Sequence, residues 1–132
     1  MNNKYAVVTG ASSGLGLEFA KLLAKKGYNL VLVARRTDRL DALKQDILKA
    51  YPLDIHVLSL DLSDVSASQK LLDYTQQNKL AVSVLINNAG FGTSGDFLSL
   101  PIEKTVEMLQ LNITTLTQLT YLFGNEMKKN KE

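Results

Sequence analysis

Four short apolar runs alternate with four longer segments of helical period along the chain. The runs are "KYAVVTG" from Lys4, "NLVLVAR" from Asn29, "DIHVLSLDL" from Asp54 and "VSVLI" from Val82. Each is close to continuously apolar, which suits a strand buried on both faces. After the first, Leu15, Phe19, Leu22 and Leu23 recur at helical spacing until Gly27. After the second, Thr37 is placed to cap a helix carrying Leu40, Leu43, Ile47 and Leu48, closed by Pro52. Ser63 or Asp64 would cap a third helix through Leu71 and Leu72. Pro101 suits the first turn of a last helix that carries Val106, Met108, Leu109, Leu111 and Leu116 and runs towards Lys128. This strict alternation predicts an α/β fold. The expected form is a Rossmann-type parallel sheet with helices on both faces, strand order 3-2-1-4, ending after about four strands. With 132 residues and no linker, repeat or low-complexity stretch, residues 1–132 read as one domain.

Charge and composition remove several function classes. The net charge is +2, and only the tail "MKKNKE" clusters its basic residues, so nucleic acid is not an expected partner. With no cysteine, disulfides, thiolate metal sites and cysteine nucleophiles are all excluded, and the single His56 predicts no histidine metal site. No run approaches the roughly 20 apolar residues of a membrane span. "MNNKYAVV" lacks the layout of a signal peptide, so a cytoplasmic protein without a membrane partner is the expectation.

Chemistry enters at "VVTGASSGLG", where Gly10, Gly14 and Gly16 follow the first strand directly. Glycines at a strand-to-helix junction let the backbone turn tightly and approach a ligand. The N–H groups and dipole of the helix start then favour a phosphate or pyrophosphate. The spacing is G-x-x-x-G-x-G rather than G-x-G-x-x-G, and a glycine turn that merely joins strand to helix is the alternative. The end of the second strand offers an independent test. An acid there binds a ribose 2′-hydroxyl, whereas arginine accommodates a 2′-phosphate. The chain has Ala34 where the acid would stand, then Arg35 and Arg36, which favours NADP(H) over NAD(H). Two solvated arginines at a loop start are the alternative, and the glycine loop upstream puts the cofactor reading ahead of it.

Taken in order, "TGASSGLG" (9 to 16), Asp61 and Leu62 after the third strand, "NNAG" (87 to 90) after the fourth, and Asn112 in the last helix resemble the short-chain dehydrogenase/reductase family. The resemblance runs from Lys4 almost to the end of the last helix. It implies that Gly10, Gly14 and Gly16, with Leu15 among them, shape a pyrophosphate loop in which Ser12 and Ser13 bond phosphates. It gives Arg35, with Arg36, to the 2′-phosphate. Asp61 would bond the adenine amino group and Leu62 would pack on its ring, while Asn88, Ala89 and Gly90 would lie along the adenosine ribose. The residues alone also allow Asp61 as a helix cap and Asn87 and Asn88 as turn formers.

The family's reaction on a carbonyl/alcohol pair needs a serine and a Tyr-x-x-x-Lys pair, the lysine lowering the tyrosine's pKa for proton transfer. Four residues after Tyr5, Tyr28, Tyr51, Tyr74 and Tyr121 stand Thr9, Leu32, Ile55, Asn78 and Asn125, none of them lysine. Of the catalytic group only Asn112 is present, in a supporting role. The resemblance therefore implies the cofactor-binding half of an NAD(P)(H)-dependent oxidoreductase, inactive alone, with the catalytic segment beyond Glu132. Phe91 could sit at the near rim of a substrate pocket, although packing explains it as well. The fourth strand would be an apolar edge needing a cover, and the last helix packs against its mate in the family, so a homo-oligomer is expected. The competing reading is a non-catalytic nucleotide-binding or self-associating module derived from a reductase.

Overall fold

A computed structural model of the chain describes residues 3–12, 14–90 and 96–130. Among these residues the strands are β1 (Lys4–Thr9), β2 (Asn29–Ala34), β3 (Ile55–Ser59) and β4 (Ala81–Ile86). They form one parallel sheet in the order β3-β2-β1-β4, as the alternation predicts. The central strands carry the continuous apolar runs because they are covered on both faces. Ala6, Val8, Leu30 and Leu32 point to one side, where α1 (Gly14–Lys25) and α2 (Asp38–Ala50) lie. Val7, Val31 and Val33 point to the other, against α3 (Ala67–Gln77) and α5 (Leu116–Lys129), whose Phe123 is fully buried.

Among the described residues β4 pairs with β1 alone, and Val84, Leu85 and Ile86 are half-buried, so it is the apolar edge the sequence anticipates. A bulge interrupts that pairing: Tyr5 faces Val82 and Ala6 faces Val84, leaving Ser83 unopposed. The Ser83 hydroxyl oxygen is buried without a hydrogen-bond partner among the described residues.

Helix α1 departs from its expected face. Leu15 is 70% exposed and Leu22 50%, and Phe19 is also turned to solvent, while Gly16, Ala20 and Ala24 are the buried positions. Their small side chains let the helix axis lie close to the sheet, which turns the larger residues outward. Leu23 alone of the predicted four packs on the core. α2 follows its pattern at Leu40, Leu43 and Ile47, with Leu48 exposed.

The capping expectations need amendment. Thr37 occupies the N-cap of α2, but it has helical backbone angles and its hydroxyl makes no capping bond. α3 begins later than either candidate cap, at Ala67. Two successive turns precede it: Asp61 accepts the N–H and hydroxyl of Ser63, then Asp64 those of Ser66. Short polar side chains bonding the backbone two residues on compete with helix start, so the chain turns twice first.

After a 3₁₀ turn (Phe97–Ser99), the last helical stretch is not uniform. α4 (Ile102–Leu109) passes through a π turn (Gln110–Thr115) into α5. Among the described residues no helix is long and apolar enough to cross a membrane.

Candidate functional site

The carboxyl ends of all four strands open onto one cleft of about 450 Å³. In an open parallel sheet the ligand crevice lies at this end, where connections leave to opposite faces. Its floor is built around the Thr9 hydroxyl, which is buried at the end of β1. That hydroxyl donates to the Ile86 carbonyl (3.2 Å) and accepts the N–H groups of Asn88 and Ala89 (3.0 Å each). One side chain thereby fixes the start of the loop after β4.

The glycine loop packs on this junction through backbone alone. The Gly10 N–H donates to the Val33 carbonyl (2.9 Å), and the Asn88 side-chain amide donates to the Gly10 carbonyl (3.2 Å). Gly10 has φ +64°, and a Cβ there would lie 3.0 Å from the Ala89 Cα. A Cβ on Gly16 would fall 2.1 Å from the Gly10 carbonyl oxygen. Gly14, at φ +59°, instead faces open space. The three glycines thus do different work: Gly10 allows a turn and a close approach, Gly16 seats α1 under the loop, and Gly14 supplies a left-handed backbone beside an empty volume.

Arg35 and Arg36 form one wall, and Arg39, from the first turn of α2, joins them. All three are exposed, and among the described residues none lies in an ion pair with a carboxylate. Ser59 donates to the Arg35 carbonyl (2.9 Å), and the Leu60 N–H to that of Ala34 (3.1 Å), so β3 holds the arginine-bearing loop.

Asp61, Leu62 and Ser63 form the adjoining wall. Asp61 Oδ1 accepts the Ser63 hydroxyl (2.6 Å) and N–H (3.0 Å). Those two bonds, and then the Arg35 charge, outweigh desolvation and hold the Asp61 carboxyl below its ordinary range. Its Oδ2 has no hydrogen-bond partner among the described residues and is left as an acceptor. Glu107 and Leu111 close the far side, Glu107 lying 3.8 Å from Lys104.

The fold therefore gathers Gly10, Ser12, Arg35, Arg36, Asp61, Leu62, Asn88, Ala89 and Gly90 around one cleft. Asn112 stands behind Gly90: a Cβ on Gly90 would come within 2.9 Å of the Asn112 Oδ1. Gly14, Gly16 and Leu15 do not line the cavity itself, and Ser13 and Phe91 lie outside the described residues. Arg39, Ser63 and Glu107 also line the cleft and Thr9 underlies it, although no motif marks any of the four as a site residue. Arg39 stands at the start of α2, close after Arg35 and Arg36, and that nearness in sequence is the signal that could have found it. The cleft can receive a polyanion at its arginine wall and a flat ring with donor groups beside Asp61 and Leu62. Its arginine wall, the free Asp61 acceptor and the tight backbone turn at Gly10, where no Cβ stands, fit a dinucleotide.

The family described as short chain dehydrogenase matches residues 4–132. The very-long-chain 3-oxoacyl-CoA reductase of Kluyveromyces lactis is 39% identical over 118 residues, covering 89% of this chain and 33% of the relative. The chain thus spans about a third of the curated relatives it matches. Among solved structures, the short-chain dehydrogenase of Sphingobium yanoikuyae in complex with NADPH superposes with a TM-score of 0.88 at 31% identity, covering 96% of this chain and 49% of that one. A metagenomic short-chain oxidoreductase in complex with NADP gives a TM-score of 0.92 at 28% identity, covering 100% and 60%.

Proposed function

Because the chain belongs to the short chain dehydrogenase family, we propose that its cleft binds a nicotinamide dinucleotide, NADP(H) in preference to NAD(H), as the cofactor-holding part of an oxidoreductase. The observation that carries this reading is the arginine wall. Arg35, Arg36 and Arg39 face the cleft without ion-pair partners among the described residues, and Ala34 stands where a ribose-binding acid would be. Unpaired guanidiniums favour a doubly charged 2′-phosphate, which they can meet with bidentate hydrogen bonds.

In this assignment the pyrophosphate lies on the glycine loop with Ser12 and Ser13. The ribose lies along Asn88, Ala89 and Gly90, and the adenine between Asp61 and Leu62. The bound nicotinamide would supply hydride transfer to or from a carbonyl/alcohol pair. The relatives' named activity points to a 3-oxoacyl thioester as the carbonyl partner. Asn112, behind Gly90, supports the reactive end, while the serine and the Tyr-x-x-x-Lys pair that such chemistry requires are not among these 132 residues. A cytoplasmic setting, in keeping with a chain free of cysteine, belongs to the same reading.

Titration of the chain with NADPH and NADH tests it. NADPH should bind the more tightly, and Arg35→Ala should narrow the gap. Tighter binding of NADH would refute the role given to the arginines. A second reading, self-association, is favoured by Val106, Leu109, Ile113 and Leu116, which stand exposed along α4, the π turn and the start of α5, and by the open edge of β4. A monomer at high concentration by light scattering would exclude it.

A further inference from the structure

The π turn contains a threonine, Thr115, whose hydroxyl behaves unlike those of Thr75 and Thr120. Thr75 and Thr120 donate back to carbonyls of their own helices, Leu72 and Leu116. Such back-bonding is the ordinary outlet for a hydroxyl in a helix. Thr115, only 1% exposed, instead donates across 53 residues to the Leu62 carbonyl at 2.5 Å. The Gln110 amide donates in turn to the Thr115 hydroxyl (3.3 Å), so the wider turn of the π segment encloses both partners. Leu62 is the residue whose two neighbours, Asp61 and Ser63, are already locked together. The Thr115 bond therefore ties that rigid turn to the helix bearing Asn112.

We infer that Thr115 is a positioning residue: its hydroxyl fixes the Asp61–Ser63 turn and so sets the affinity of the cleft for the adenine half of the dinucleotide. The inference rests on the nucleotide reading above and extends it to a residue that does not touch the ligand. Without the hydroxyl, the Leu62 carbonyl is a buried acceptor lacking its donor, and the turn must shift to find another. That shift moves Leu62 and Asp61 Oδ2 together.

The test is calorimetric titration of the full chain with 2′,5′-ADP, which carries the adenine and the 2′-phosphate, and with reduced nicotinamide mononucleotide. Thr115→Val should weaken 2′,5′-ADP about tenfold, the equivalent of one hydrogen bond, and leave the mononucleotide unchanged. Thr115→Ser should restore binding. Ser68→Ala serves as the control, since the Ser68 hydroxyl of α3 donates to Gln118 of α5 (2.9 Å), the helix that continues from the π turn, without touching the adenine turn. It should lower stability and leave both affinities alone. Equal loss of both ligands in T115V, or 2′,5′-ADP binding as tight as in the parent chain, overturns the inference. If T115V does not fold, amide exchange in the parent chain decides. Adding 2′,5′-ADP should slow exchange at residues 62–64 and 112–116 together, and slowing confined to 62–64 overturns the coupling. Failure of the parent chain to bind 2′,5′-ADP at all refutes the nucleotide reading itself, an outcome the variants cannot imitate.

Discussion

Gly16→Ala sets two effects of known sign against each other. In a helix interior, replacing glycine with alanine ordinarily stabilises by about 0.5–1 kcal/mol, through the entropy of the unfolded chain. Here the new methyl would stand 2.1 Å from the Gly10 carbonyl oxygen, 2.6 Å from the Asn88 side-chain nitrogen and 2.8 Å from the Gly10 carbonyl carbon. Two of these contacts are backbone, so no flexible side chain can yield. α1 or the loop must retreat by more than an ångström. Overpacking of this kind costs about 1–3 kcal/mol, and breaking the Asn88-to-Gly10 bond adds about 1 kcal/mol. The clash therefore wins, with a net loss of about 1–3.5 kcal/mol. Gly14→Ala is the internal comparison: its methyl meets nothing, and only the φ of +59° opposes it, at about 1–2 kcal/mol. Urea unfolding followed by circular dichroism separates the two. With a slope of about 1–3 kcal/mol per molar, G16A should lower the midpoint by roughly a molar or more at unchanged slope, and G14A by less. A G16A midpoint at or above that of the parent chain would refute the close seating of α1 under the glycine loop.

Three further outcomes are expected. Thr9→Val keeps the shape and removes the hydroxyl that serves Ile86, Asn88 and Ala89. It should cost about 2–3 kcal/mol in urea unfolding and weaken NADPH binding measured by fluorescence. Lys79 holds φ +55° in the turn between α3 and β4, so Lys79→Gly should raise the urea midpoint, by up to about 1 kcal/mol in stability. Burial, and then the Asp54 carboxylate it bonds at 2.5 Å, push the Tyr5 phenol up to about 12 from its ordinary 10. A raised folded-state pKa gives stability that is complete below pH 10 and lost as pH rises towards about 12. Alkaline unfolding should show that decline, and Tyr5→Phe should remove it.

The sheet was legible because periodicity reports burial directly. Strands covered on both faces must be apolar through their middles, as β1 is over Ala6–Val8 and β2 over Leu30–Val33. The face of α1 was not, since large side chains dominate a periodic pattern, whereas Gly16, Ala20 and Ala24 are buried here precisely for want of size. The late start of α3 was also hidden. Asp61 and Asp64 are good cap residues by type, and only the fold shows them spent on Ser63 and Ser66. Within the cleft, residues at the strand ends were readable from position. Thr115 and Glu107 were not, because each reaches the site from a helix remote in sequence, by a contact that no local pattern encodes.

The Thr9 junction also bears on the order in which the molecule assembles. Thr9 and Asn88 are 79 residues apart in the chain, and the β1–β4 pairing they accompany closes only after the β1–β2 and β2–β3 units can already have formed. Contacts of such long separation are the slow ones in folding, because chain entropy is lost before they return any stabilisation. The cleft's floor is made by that same closure, so the cleft exists only once the β1–β4 seam has formed. A nucleotide bound there would draw its stabilisation from the β1–β4 seam, acting on the finished fold as a clasp rather than as a template.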